Sequence, residues 1–167
     1  MKNDIKREDK EEKIQARSKK TIEMLKSIIG MPMKNFPVPP FTKWLNGRII
    51  SVRRGEVILE IDIRKEMSNP TGILHGGMQS AILDDVIGIT SITLGYEGFL
   101  ISIDMHVDFL GKVEIGETIK AFGRIEREGS RIIHAEGELK NKDGKTIATA
   151  TSNLLKTSYK ANYPKFI

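Results

Sequence analysis

The chain has 167 residues, with 39% apolar, 29% charged and no cysteine. That balance suits one ordinary globular domain with a sizeable core and is cramped for two; the absent cysteines exclude disulfide frames, thiolate nucleophiles and cysteine-ligated metals, and fit a reducing, cytoplasmic setting. Net charge is +5, of which residues 1–20 supply +3 through eight Lys/Arg against five Asp/Glu, so the body carries too little excess to argue for nucleic acid.

Residues 1–29 mix both signs of charge, with sparse apolar positions at Ile14, Ile22, Leu25, Ile28 and Ile29. The spacing predicts a thin amphipathic helix. Opposite charges stand four apart at Asp9–Lys13 and Lys19–Glu23, but Glu8–Glu12 repel, and each pair is worth only a few tenths of a kcal/mol. The segment therefore reads chiefly as a solvated arm that frays without a partner surface, with a lid or partner-binding helix as the alternative. Its charge leaves no apolar stretch for export. Pro32, Pro37, Pro39 and Pro40 then predict an extended connector over residues 30–41, with the folded body starting near Phe41.

Residues 48–64 read as two strands joined at Arg53–Arg54–Gly55, with Val57, Leu59, Ile61 and Ile63 alternating. After the loop Ser68–Gly72 comes a long helix from Gly76 to Thr93, apolar on most sides and so expected in the core. The uncharged run 67–83 contains Asn69, Pro70, His75 and three glycines and cannot span a membrane. Strands follow around 101–109, 119–125, 133–139 and 146–156, with positive-φ turns expected at Gly129 and Gly144. The whole predicts an α+β domain: a meander of long antiparallel strands curled around one buried helix.

Asp84 and Asp85 stand in the middle of that helix. An ionised carboxylate in a core carries a desolvation penalty of several kcal/mol unless it is paired, hydrogen-bonded or open to a cavity. No Lys or Arg lies between Lys65 and Lys112 to pair locally. Both acids have Ala81 and Gly88 as helical neighbours; otherwise Asp84 has Gly77, Ser80 and Ser91, with Ile87 the one bulky exception, and Asp85 has Met78, Ile82, Ile89 and Ile92. Small neighbours leave a groove that a ligand or water can reach, so Asp84 is the better functional candidate. A carboxylate bonded to its own surroundings remains the plainer reading of either. His75–Gly76–Gly77 opens the helix, where free N–H groups and the positive dipole end favour developing negative charge. A tight turn explains those glycines as well. From them to Asp84 is roughly 10–12 Å along the axis, too far for one helix to bring donor and base together. Two antiparallel copies could do so, which places any active site between subunits.

The stretch Asn69–Asp85 (NPTGILHGGMQSAILDD), followed by ISIDMHVDFL at 101–110, the Gly116 turn and the DGK hairpin at 143–145, resembles the hotdog-fold acyl-CoA thioesterases of the phenylacetate-degradation type. The resemblance covers about residues 41–157. It implies a helix wrapped by a curved antiparallel sheet, with 1–40 as a charged arm and proline-rich connector and 41–167 as the thioesterase domain. It casts Asp84 as the catalytic carboxylate, base or nucleophile, and Gly76 as the N–H donor to the thioester carbonyl. Asn69 and His75 would help to polarise or order that carbonyl, and Ser102 would position water. It also implies a homodimer or homotetramer, coenzyme A as part of the substrate, no separate cofactor and no metal. His75, His106 and His134 are in any case too scattered for a ligand motif. Arg131 and Lys112 are candidates for the coenzyme A phosphates, with solvated loop charges as the plainer reading. A non-catalytic acyl-CoA-binding module and a hydratase or dehydratase on the same fold are the competing functions.

Overall fold

The computed structural model describes residues 2–160, with side chains from residue 8 onward. Helix α1 covers Lys2–Ser27, α2 Pro40–Leu45 and α3 Gly76–Ile92; the strands are β1 (Arg48–Arg53), β2 (Glu56–Asp62), β3 (Leu100–Phe109), β4 (Thr118–Glu128), β5 (Ile132–Lys140) and β6 (Thr146–Lys156). All strand pairs are antiparallel, in the order β1-β2-β4-β5-β6-β3. The α+β arrangement of one sheet around a central helix is as expected, but a simple meander is not: α3 crosses the sheet after β2 and delivers β3 to the far edge. Among the described residues no helix is long and apolar enough to cross a membrane.

The helix lies in a trough made by missing side chains. Gly123 and Gly137 face each other across β4 and β5. A Cβ on Gly123 would collide with Thr90 Oγ1 and come 2.9 Å from the Val86 carbonyl, and one on Gly137 would sit 2.9 Å from Leu83 Cδ2. With both absent, Ile82, Leu83, Val86 and Ile87 are fully buried against the strands. Each such aliphatic side chain stabilises the fold by roughly 1.5–3 kcal/mol. The helix is not buried all round, however: Gly77, Asp84 and Ile92 lie on an open strip.

Three further details depart from the sequence reading. Residues 40–45 form α2, started by Pro40 in the first turn, where its missing N–H costs nothing, and ended by Asn46 in the left-handed region at φ 56°. Gly144 has the expected positive φ (78°), but Gly129 does not; there a Cβ would stand 2.6 Å from the Ile132 carbonyl, so the turn needs glycine for closeness instead. Finally, the charged arm is docked. Ser18 Oγ donates to the Thr93 carbonyl at 2.6 Å, Arg17 Nε donates to the Gly95 carbonyl at 2.8 Å, and Thr21, Leu25 and Ile28 are buried.

Candidate active site

Asp84 is exposed on the open strip of α3, and Ser102 Oγ donates to its Oδ1 at 3.0 Å. The expectation of a core carboxylate thus fails for Asp84 and applies to its neighbour. Ser102 owes its aim to a bulge in β3. The register passes from Ser102↔Leu154 to Asp104↔Asn153, leaving Ile103 as an extra residue. Asp104 closes the defect: its Oδ1 accepts the Asn153 amide at 3.0 Å, its Oδ2 accepts Asn153 Nδ2 at 2.9 Å, and its own carbonyl accepts Ser152 Oγ at 2.7 Å. Asn153 thereby holds the Asp104 carboxyl below the usual carboxylate range.

Asp85 points into the protein. Burial drives its carboxyl up to about 6, opposed by the Thr42 hydroxyl donating to Oδ1 at 2.6 Å and reinforced by the Asp84 charge. It is the plainer kind of acid, bonded to its own surroundings.

The start of α3 forms a second group. His75 is the N-cap, its Nδ1 accepting the Gly77 amide at 2.8 Å, which puts the ring proton of the neutral form on Nε2. Gly77 N–H is therefore spent locally, whereas Gly76 N–H meets no acceptor among the described residues. A Phe109 ring carbon would be 3.4 Å from a Cβ on Gly76, walling one side of that amide. Asn69 Oδ1 is occupied with folding its own loop, accepting Thr71 N–H at 2.9 Å, Thr71 Oγ1–H at 2.7 Å and Ile73 N–H at 3.3 Å.

The structure thus brings together Asp84 with Ser102, and His75 with Gly76 and Gly77 at the start of α3, while Asn69 bonds within its own loop; it does not bring the first pair to the start of the helix. Eight residues of helix separate Gly76 from Asp84, roughly 12 Å. Lys112 and Arg131 are both exposed and also far apart. Lys112 follows the Phe109 end of β3, while the Arg131 carbonyl accepts the Lys156 amide at the Leu100 end, about 30 Å away along the ladder. Among the described residues no three His, Asp or Glu side chains converge as a metal site.

Beside Asp84 and Asp85 opens a cavity of about 540 Å³, bounded by α1, α2, α3 and the start of β3. Its walls are mainly apolar; of the basic groups that line it, Arg17 is bonded to the Gly95 carbonyl and Lys160 is paired with Glu97. Sequence reading missed this chamber because its walls come from segments that only folding brings together: Thr42 stands 43 residues from Asp85, and Ser18 stands 75 from Thr93. It also missed Tyr96, which lines the cavity, donates to Glu128 Oε2 at 2.9 Å and accepts from Lys156 Nζ at 2.7 Å. One signal was available: a glycine at 88, one turn beyond Asp84 in an apolar helix.

The profile of the Thioesterase superfamily matches residues 71–148, spanning α3 to β6 and both groups of candidate residues except Asn69. A Saccharolobus solfataricus protein with a provisional esterase name is 30% identical over 122 residues, covering 71% of this chain and 86% of that one. Acyl-coenzyme A thioesterase 13 of Homo sapiens is 27% identical over 101 residues, covering 60% of this chain and 72% of that protein. Among solved structures, the E. coli PaaI protein from the phenylacetic acid degradation operon superposes with a TM-score of 0.71 at 17% identity, covering 86% and 96% of the two chains.

Proposed function

The chain belongs to the thioesterase superfamily, and from that premise we propose that it hydrolyses the thioester bond of an acyl- or aryl-coenzyme A, releasing a carboxylic acid and free coenzyme A. The observation that carries the reading is the open carboxylate of Asp84 held by Ser102, on the same helix that presents an unengaged Gly76 amide. A hydrolase needs both a base and an oxyanion donor. Here they are about 12 Å apart on one helix, so the complete site takes Asp84 from one copy and Gly76 from another.

Sheet edge β3 supports such pairing: it pairs with β6 on one side, its other side has no strand neighbour among the described residues, and Ile103, Phe109 and Leu110 along and just beyond it are each more than half exposed. In the assembled site the thioester carbonyl accepts from Gly76 N–H, aided by His75 Nε2–H and the Asn69 amide. Asp84 takes a proton from water while Ser102 fixes one of its carboxylate oxygens. The water oxygen adds to the carbonyl carbon, the tetrahedral intermediate collapses, and coenzyme A leaves as its thiolate.

A thiol reagent reads this directly. Wild-type protein should release free thiol from members of a panel of short, long and aromatic acyl-coenzyme A esters, and Asp84→Asn should lower turnover at least about 100-fold with the fold intact. Full activity in that variant moves the base elsewhere. No hydrolysis anywhere in the panel, with tight binding of one member, replaces the hydrolase by an acyl-CoA-binding module.

A further inference from the structure

The docked arm has no part in the chemistry above, yet it builds one wall of the chamber next to Asp84. Thr21, Met24 and Leu25 of α1 line it from one side, and Asp84, Gly88 and Ile92 of α3 from another. The arm's charged residues Lys19, Lys20 and Glu23 face outward instead. Gly88 stands one turn beyond Asp84, where a Cβ would meet nothing within 4 Å. Glycine is the poorest helix former after proline, and no close neighbour forbids a larger side chain here; what its absence leaves is a passage from the carboxylate into the cavity.

Building on the thioesterase reading, we propose that α1 and Gly88 form an acyl-length gauge: a linear alkyl chain of decanoyl class enters past Gly88 and ends against α1. The volume of about 540 Å³ is that of a ligand chamber. Its wall follows α3 from Asp84 to Ile92, about 12 Å. An acetyl group leaves that length empty and a single aromatic ring fills only part of it. Apolar lining rewards each added methylene, so selectivity rises with chain length until α1 is reached. Position matters as well: Arg17 and Ser18 fasten α1 to the turn after α3 at Gly95 and Thr93, so the wall that α1 forms is tied to the helix that carries the acid.

The test fills the chamber from opposite sides, with Gly88→Leu on α3 and Thr21→Phe on α1, and uses Gly88→Ala as the milder change should leucine impair folding. Specificity constants are measured for acetyl-, hexanoyl- and decanoyl-coenzyme A, decanoic acid binding is measured by calorimetry, and oligomeric state by light scattering. Wild type should favour decanoyl over acetyl at least about tenfold. Both filled variants should lose decanoyl turnover and decanoic acid binding about tenfold or more, keeping hexanoyl turnover within about threefold. Hydrolysis with an unchanged length profile in both variants overturns the gauge and leaves the thioesterase standing. Decanoic acid binding that the variants abolish, in a protein that hydrolyses nothing, upholds the chamber and overturns the thioesterase. If Gly88→Leu dissociates the oligomer and loses all substrates alike while Thr21→Phe changes nothing, the opening belongs to a subunit contact and the gauge is wrong.

Discussion

Replacing Asp85 by Asn should make the protein more stable at neutral pH, and the gain should disappear in acid. Burial raises the Asp85 carboxyl from an ordinary 3.8 to about 6. An acid whose value is higher in the folded than in the unfolded state costs stability when it ionises. Below about pH 4 both states hold the proton and nothing is lost. Between about pH 4 and 6 the unfolded chain gives up its proton first, so stability falls as pH rises, and above about 6 the penalty is constant. A displacement of this size corresponds to roughly 3 kcal/mol, an upper bound because the side chain borders a cavity that water can enter. Asparagine keeps an oxygen to accept from Thr42 Oγ1, now at 2.6 Å, and removes the charge. Asp85→Asn should therefore gain about 1–3 kcal/mol at pH 7.5, or roughly 2–10 °C in melting temperature for a chain of this size, and almost nothing at pH 3. Urea unfolding at the two pH values, at one protein concentration, measures it. A gain of equal size at both values, or a loss at pH 7.5, would refute the claim that burial of charge sets the Asp85 carboxyl.

Ser102→Ala should lower turnover about tenfold by freeing the Asp84 carboxylate to rotate, while the unfolding free energy from urea titration stays within about 0.5 kcal/mol of wild type, since the hydroxyl is exposed. Gly95→Ala should cost about 1–3 kcal/mol, because Gly95 sits at φ 79° and a methyl there would strike the Ile14 carbonyl and the Ser18 amide. Hydrogen exchange should then speed up along α1 with strand protection kept; equal loosening everywhere would mean that α1 is not a separable element. Subunits carrying Asp84→Asn mixed with subunits carrying His75→Ala should regain thiol release that neither shows alone, as a site shared between copies requires. Failure to regain it, with mixed oligomers confirmed by mass spectrometry, would confine the site to one chain.

Much of the fold was legible because each core element repeats its own period. Val57, Leu59, Ile61 and Ile63 alternate and are all buried, and the helix from Gly76 ends at Ile92 with Thr93 as its cap, as its apolar run indicated. Burial of individual positions was less legible. Asp84 and Asp85 are adjacent in an apolar helix, yet about 100° of helical rotation puts one on the open strip and the other against Thr42. Nor does alternation mark a bulge: Ile103 follows the same apolar period as Ile101 and Met105, but it is the extra residue and stands 54% exposed. Charge misled at the N-terminus, where Ser18 and Thr21, polar residues on a charged helix, are buried, Ser18 by a bond to a carbonyl 75 positions away. Local sequence records a helix's preference for water, not whether a distant turn offers it a carbonyl.

Gly123 and Gly137 set a height. Strands usually gain from branched side chains at their midpoint, and this sheet forgoes them at two paired positions, so the backbone of α3 settles closer to the strands than a methyl group would allow. Asp84 and Gly76 ride on that helix. How far the acid projects toward any second copy is thus governed from underneath, by two residues with no chemistry of their own, and altering either would retune the reach of the carboxylate without touching a single group near the substrate.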